Sequence, residues 1–559
     1  MMRLLTLLLL CLATGIGVLL TRHPAPDVEL VDYFPEDTLV FMEWDHGARF
    51  AAGQWRLGQA GKTIVPATWR QFLLRMRERD SLIAEMCRLV IAGEEFASRP
   101  AVSSLLTHGA AFALLPEHAG QSDFFPFRQW LIAVRVDSDV SEQRFEEVFG
   151  PIRLRQNIDY QGEVLARLVD ESGQDFFYWR HHNVALVACE QALIRRSIDQ
   201  NLQRMIRKTA TLSMNSAYLR LRRLVDDRTD IFCYIDFDGL RRRIPLMREI
   251  DTAGGGLLPR HIAFCHRAAE GANRLEVGVL VNQESASAFI TRHRLPLPVR
   301  QPFKEALPRE TIFALWTNWF KAKYLWDCIR QQAGDDVAGL LSTVGQQVSD
   351  ATGKSLDNFF DVFGGEFGVM ITEQPVAHQS SRFLGGLLVA VHDRPAVAAM
   401  VEQMVAGLQV IAVQSGNLEI ASVMLAGGLL QPAYILLSQH LILADSVELV
   451  EVVRRQLMHD GADGSEDGVP EQADRQGNVA IFLKVGEVVE RLTPLLILLA
   501  KETNEWNRML SLEARYFVRE IGLPLLAALR DVSTGRLRGY VDGDAIFMEL
   551  EYTLSTSKQ

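Results

Sequence analysis

A chain of 559 residues is long enough to bury more than one sizeable core. Its formal charge of −11 argues against a general nucleic-acid binder. Of its six cysteines, Cys11 lies in an N-terminal apolar run and five are scattered without a Cys-x-x-Cys pair, which excludes a disulfide framework and a zinc site of that kind.

Arg3 precedes a charge-free run over residues 4–20, closed by Arg22 and His23. Its seventeen residues sit at the short limit for a spanning helix and exceed the apolar region of a usual cleaved signal. Residues 1–23 are therefore expected to be an uncleaved signal anchor, with a cleaved signal peptide as the alternative. The expected location is the cell inner membrane, crossed once, with the body in the periplasm; secretion to the periplasm is the alternative. A first unit is expected over residues 33–290. Period-two patterning predicts strands at 38–44, 111–115, 130–136, 163–169, 176–179, 184–188, 231–237 and 275–281. Helices are predicted at 69–89, 141–149 and 191–206. Pro296, Pro298 and Pro302 mark a junction, since proline breaks both element types. The second unit, residues 303–555, has predicted strands at 367–371, 387–391, 434–437, 441–443, 479–485 and 545–552. Its predicted helices are 319–332, 394–410, 447–457 and 488–500. Strands and helices do not alternate strictly. The expected fold class is thus α+β: two duplicated units with mainly antiparallel sheets and packed helices, behind one N-terminal transmembrane segment.

The duplication is read from landmarks that recur in order. Pro35-Glu36-Asp37-Thr38 and Pro308-Arg309-Glu310-Thr311 each open a strand. Gly109-Ala110-Ala111-Phe112 answers Gly364-Gly365-Glu366-Phe367, and Ala133-Val134-Arg135-Val136-Asp137 answers Val389-Ala390-Val391-His392-Asp393. Tyr178, Ala188 and Leu193 answer Tyr434, Ala444 and Leu449, all at a spacing of 256. A unit of this size is domain-scale, well beyond the period of a solenoid repeat.

The Pro-x-[Asp/Glu]-Thr openings resemble those of a family of bacterial envelope proteins of unknown function. So does Thr352-Gly353-Lys354-Ser355-Leu356-Asp357 leading into Phe363-Gly364-Gly365-Glu366-Phe367. The resemblance implies an N-terminal signal or anchor and a large extracytoplasmic part. It transfers no catalytic residue, and the first unit departs from it at residues 102–106.

Several motifs invite a chemical reading. Gly353-Lys354-Ser355 ends like a phosphate-binding loop, but Val348 stands where the first glycine belongs, so a turn is expected and no nucleotide. Asp463, Ser465 and Asp467, with Gly468 and with Asp474 at the twelfth position, partly match a calcium loop of hard oxygen ligands. Asp in place of a bidentate Glu, and Pro470, favour a solvated acidic loop instead. His261, Cys265 and His266, or His181 and His182, have metal-ligating side chains without an implied third ligand. Asp236 and Asp238 share a strand face on which two carboxylates can do acid–base work; exposed strand positions explain them equally. Ser438 and Ser446 lack a nucleophile setting, as does the His182–Asp175 pair. Residues 195–248 hold 13 Lys+Arg against 6 Asp, a basic stretch including Arg220, Arg222, Arg223, Arg241, Arg242 and Arg243. It suits anionic lipid headgroups or an acidic partner, or else internal salt bridges. Trp316, Trp319, Phe320, Tyr324 and Trp326 line either a groove or a core.

These features point to a membrane-anchored, extracytoplasmic, non-enzymatic binding or scaffolding module. A carrier of lipid or another apolar ligand, and a hydrolase with a cleft between the units, are the alternatives. The expected partners are the membrane, through the N-terminal segment, and an envelope protein or anionic headgroups. No nucleic acid, nucleotide, cofactor or assigned catalytic residue is expected.

Overall fold

The computed structural model describes residues 29–44, 109–116, 129–136, 151–171, 173–203, 210–225, 231–243, 259–269, 272–283, 299–300, 309–319, 360–375, 381–415, 418–425, 430–457, 476–500, 518–530 and 532–554, with a few single or paired residues between them. Two compact units divide the described residues at His266/Arg267, near the end of the strand Pro259–Ala269, with residue 74 grouped with the second.

The first unit carries β1 (Val40–Trp44), β2 (Ala110–Leu115), β3 (Gln129–Arg135), β4 (Ile152–Tyr160), β5 (Glu163–Asp170), β6 (Asp175–His181), β7 (Val184–Ala188), β8 (Ile231–Asp236) and β9 (Pro259–Ala269). Their order in the sheet is β4-β5-β6-β7-β3-β2-β1-β8-β9. Helices α1 (Gln191–Gln203), α2 (Ser216–Leu224) and α3 (Phe237–Arg243) follow β7 and β8. Gln161 and Gly162, both with positive φ, make the two-residue turn joining β4 to β5. Every residue of β7 is buried, as suits a central strand covered on both faces. Phe34, Phe41, Tyr218 and Phe232 stack edge to face at centroid distances of 5.1, 5.8 and 5.7 Å, which fixes α2 on the sheet. Asn215 starts α2 by accepting the amide hydrogens of Ala217 and Tyr218.

The second unit begins with β10 (Ala272–Val281) and continues through β11 (Thr311–Thr317), β12 (Phe363–Pro375), β13 (Ser381–Val391), β14 (Gln409–Ser415), β15 (Leu418–Met424), β16 (Ala433–Leu436), β17 (His440–Ala444), β18 (Val479–Leu483), β19 (Val532–Asp542) and β20 (Ala545–Leu554). Its order is β14-β15-β16-β17-β13-β12-β11-β18-β19-β20-β10. Strand for strand, β11 to β19 repeat the order of β1 to β9. A separate pair, Val299–Arg300 with Gln476–Gly477, lies outside this ladder. Helices α4 (Arg394–Met404), α5 (Val447–Leu457), α6 (Val485–Ala500) and α7 (Leu523–Leu529) complete the unit. On one sheet face Trp316, Met370, Leu388, Ile420 and Ile442 pack against Leu449, Val450 and Val453 of α5. On the other, Val397, Met400 and Val401 of α4 cover Val391 and Leu441. Across β10 and β20, buried Glu276 faces buried Glu549. Arg274 at 2.9 Å and Arg538 neutralise Glu549, as a buried carboxylate requires.

The α+β expectation is thereby corrected. Twenty strands form antiparallel ladders, nine in the first unit and eleven in the second, and the helices are additions to those sheets. The patterning leaves β4, β14, β15 and β19 without a predicted strand, and it predicts one helix over 394–410. That helix stops at Met404; Gly407, at φ +83°, turns the chain into β14. The expected transmembrane segment lies outside the described residues. Among the described residues no helix is long and apolar enough to cross a membrane.

A candidate apolar binding site

The second unit holds a half-open cavity of about 870 Å³ between α4 and the sheet face it covers. Phe367, Val369 and Ile371 of β12 and Leu387 and Val389 of β13 form its floor; Met400, Val401 and Met404 form the α4 side. Asp393 and Pro395 hold the start of α4, the Asp393 carboxylate accepting the Ala396 amide at 3.0 Å. Tyr434 and Asp445 are the polar side chains of the lining. Burial, assisted by the charge of Glu402, raises the Tyr434 phenol above its ordinary value, so it stays protonated at neutral pH. Asp445 is occupied by the backbone: its Oδ2 accepts the Gly385 amide at 2.7 Å.

Ladder positions explain why the cavity exists. Gly385 pairs with Ile371, and its carbonyl accepts the Asp445 amide at 3.0 Å. In the first unit Trp130 pairs with Leu114, its carbonyl accepts the Cys189 amide at 3.4 Å, and its own amide donates to Cys189 Sγ at 3.2 Å. Trp130 and Gly385 thus hold one position in two equivalent strands. Phe176, paired with Leu168, likewise matches Pro432, whose carbonyl accepts the Val423 amide. The rings of Trp130 and Phe176 pack 6.1 Å apart over Ala110, Val134 and Val187. Where the first unit has two aromatic rings, the second has Gly385 and Pro432, and the space is the cavity. A Cβ on Gly385 would meet only Asp445 Oδ2, at 3.6 Å. A Cβ on the adjacent Gly386, which points to the other face, would lie 2.4 Å from Val453 Cγ2.

The residues singled out from the sequence lie elsewhere. Asp463, Ser465, Asp467 and Asp474 of the acidic loop fall outside the described residues, as do Gly353, Lys354, Phe320, Tyr324 and Trp326. Trp316 is a core residue whose Nε1 donates to Glu366 at 2.8 Å, while His440 Nε2 meets the other oxygen of that carboxylate at 2.8 Å. Asp236 and Asp238 do not alternate on a strand: β8 ends at Asp236, which accepts the Gly239 amide, and Asp238 starts α3 and pairs with Arg241 and Arg260. His261 Nδ1 meets the Tyr234 hydroxyl at 3.0 Å and Asp236 at 3.5 Å, and Cys265 is buried. His181 meets the Tyr33 hydroxyl at 3.0 Å, and Asp175 pairs with Arg167 at the far end of β6 from His182. Ser446 Oγ accepts the Leu449 amide at the start of α5. In the basic stretch, Arg222 pairs with Glu43 and lies over the Phe232 ring, Arg241 pairs with Asp238, and Arg243 donates to the Gly239 carbonyl. Those three serve internal contacts. Sequence reasoning names Phe363, Phe367, Val389, Tyr434 and Ala444 as landmarks of the repeat or of the family resemblance but does not see the cavity they line. The signal that finds it is Gly385-Gly386 standing where the first unit has Trp130-Leu131.

No protein-family model matches the chain, and no curated protein matches it. Solved structures of TP0453 are similar to part of it. Its crystal form III covers 49% of this chain and 90% of that one, at 6% identity and a TM-score of 0.22. Crystal form IV covers 48% and 85%, at 8% identity and a TM-score of 0.23. At such values the likeness carries no argument.

Proposed function

We propose that this protein binds an apolar ligand, such as an acyl chain, in the cavity of its second unit. It is thus a binding or carrier protein, which takes up the carrier alternative of the sequence analysis rather than its leading reading of a binding or scaffolding module. The observation that carries this is the replacement of a Trp130–Phe176 plug by Gly385 and Pro432, which leaves about 870 Å³ lined almost wholly by aliphatic and aromatic side chains. Pockets of about 300–1,000 Å³ with this lining accommodate small apolar molecules. With Asp445 tied to the backbone, the cavity offers an incoming chain dispersion and burial rather than ionic contacts. Membrane attachment through residues 1–23 and an extracytoplasmic body belong to the same proposal. They are supported by the charge-free run at 4–20 and by the envelope-family resemblance of the strand openings.

The test is a titration of the full chain with a fluorescent fatty-acid analogue kept below its aggregation limit. Wild type is expected to bind it saturably. Gly385→Trp, which restores the first unit's plug, is expected to weaken binding by about tenfold or more, the factor given by about 1.4 kcal/mol. Far-ultraviolet circular dichroism should stay unchanged. Binding unaffected by Gly385→Trp in a folded variant, or no saturable binding by wild type, overturns the proposal.

A further inference from the structure

Beyond Glu402, whose charge reaches Tyr434, the cavity continues into a rim poor in charge. Residues 403–418 contain no Asp, Glu, Lys or Arg, and Glu419 is the single one between 403 and 439. The matching stretch of the first unit, residues 148–183, holds nine. Met404, a lining residue at the end of α4, is 57% exposed; Leu408 is 44% and Val410 40% exposed. The Leu408 amide donates to the Val405 carbonyl at 3.0 Å, and Val410 pairs with Val423 across β14 and β15. Val405 and Val423 both line the cavity, so rim and cavity form one apolar surface.

Among the described residues, β14 pairs on one side only. Sheet edges are ordinarily guarded by charge. The equivalent β4 carries Arg153 and Arg155, whereas β14 reads Gln-Val-Ile-Ala-Val-Gln-Ser. A peptide strand added to β14 would satisfy its backbone edge but leave Met404 and Leu408 in water. A layer of lipid would cover all of them, tolerate the irregular outline, and account for the absence of charge over residues 403–418 beyond the strand itself.

We propose that Met404, Leu408 and Val410 enter the interfacial layer of a lipid bilayer, so that the cavity takes its ligand directly from the membrane. This rests on the cavity being a ligand site. The rim lacks Lys and Arg, so the docking is apolar: it is indifferent to lipid charge and to salt, unlike docking through a basic patch.

The experiment loads neutral phosphatidylcholine vesicles with the fluorescent fatty-acid analogue and follows its transfer to the full chain. In parallel, affinity for the same probe is measured in water without vesicles. Leu408 and Val410 do not line the cavity. Leu408→Lys with Val410→Lys is expected to slow transfer by about tenfold, equivalent to about 1.4 kcal/mol of lost burial, while affinity in water stays within about twofold. Leu154→Lys, at an exposed position of β4, should transfer like wild type. Should the lysines prevent folding, Leu408→Gln with Val410→Thr should give a smaller slowing of the same kind. The N-terminal run is common to every variant and cancels. Unchanged transfer by both double variants overturns the rim proposal, as does transfer that depends on anionic lipid and falls with salt. Loss of probe binding in water by wild type instead overturns the cavity reading itself.

Discussion

On the sheet face of β3, the first unit packs Trp130 against Phe176 and closes the space with rings. On the matching face of β13, the second unit places Gly385 and Pro432 and leaves a cavity under α4. The backbone at the two positions is the same: one pairing partner on the preceding strand, and a side-chain acceptor for the amide, Cys189 Sγ or Asp445 Oδ2. Two units with one strand order thus differ in what a single β-position presents. Architecture follows from the ladder, and capacity to hold a ligand follows from side-chain volume at one or two sites on it. The opposite faces do not diverge in this way. In the second unit Gly386 is required so that β13 can approach α5, since a methyl group there would collide with Val453.

The comparison breaks most readily at Trp130. Trp130→Gly removes a partly buried ring from a packed cluster. Large-to-small changes of this kind cost about 3–5 kcal/mol when the ring is fully buried, and the lower end applies here. Hydrogen exchange of β3 and β7 should quicken accordingly, and the variant should gain a second, weaker site for the apolar probe. Protection unchanged by the substitution would mean that Trp130 is not a plug. The next largest contrast lies between two adjacent glycines. Gly386→Ala forces Val453 to move and is expected to cost about 1–3 kcal/mol by overpacking. Gly385→Ala, with open space before it and no positive φ, should lie within about 0.5 kcal/mol of wild type, helped by reduced freedom in the unfolded chain. Equal destabilisation by the two in urea unfolding would show that the faces are not distinct.

What the sequence discloses depends on burial. Central strands such as β3 and β7 read clearly, because their apolar runs are needed on at least one face. The spacing of 256 between Tyr178 and Tyr434 corresponds to matching ladder positions, since Tyr178 pairs with Val187 and Tyr434 with Leu443. The spacing of 273 between Thr38 and Thr311 is also that of the ladder positions Val40 and Phe313, beyond a register shift of β11 against β12 between Thr311 and Phe313. The edge strands β4 and β14 were missed because their residues are exposed and carry little periodic demand. The cavity was missed because of a slip of one residue. Aligning Ala133 with Val389 gives a spacing of 256 in β3 and β13, whereas the bonds of Val136 to Asn183 and of Val391 to Gln439 fix it at 255. A slip of one exchanges the two faces of a strand. It sets Gly385 against Gln129 and hides the replacement of Trp130. The landmark Phe112/Phe367 slips by two, which the irregular register of β12 between Phe363 and Phe367 absorbs.

The smallest expected difference between the units is their response to acid. His181 and His261 belong to the first unit, and by the same ladder count Leu437 and Thr534 stand in their places in the second. Burial holds both histidines below the ordinary value of 6.5, aided by the adjacent His182 for His181 and by Arg260 and Arg242 for His261; Glu163, Asp236 and Asp238 pull the other way. Each Nδ1 lies 3.0 Å from a tyrosine hydroxyl, Tyr33 or Tyr234, a contact in which the neutral ring accepts. The fold therefore favours the neutral ring. As pH falls through 6.5, the unfolded chain takes up protons that the folded one resists, so this contribution is present above that value and declines below it. Between about pH 7.5 and about pH 5.5, a range that spans the histidine value, amide exchange corrected for its intrinsic rate should quicken in β6 to β9 and hold steady in β14 and β15, which carry no histidine. His181→Gln keeps an acceptor for Tyr33 without a titrating ring and should reduce the response of β6 and β7 while leaving that of β8 and β9. An equal acid response in both units, or a response in β6 and β7 that survives His181→Gln, would remove the histidines from this comparison and assign the effect to carboxylates common to the two.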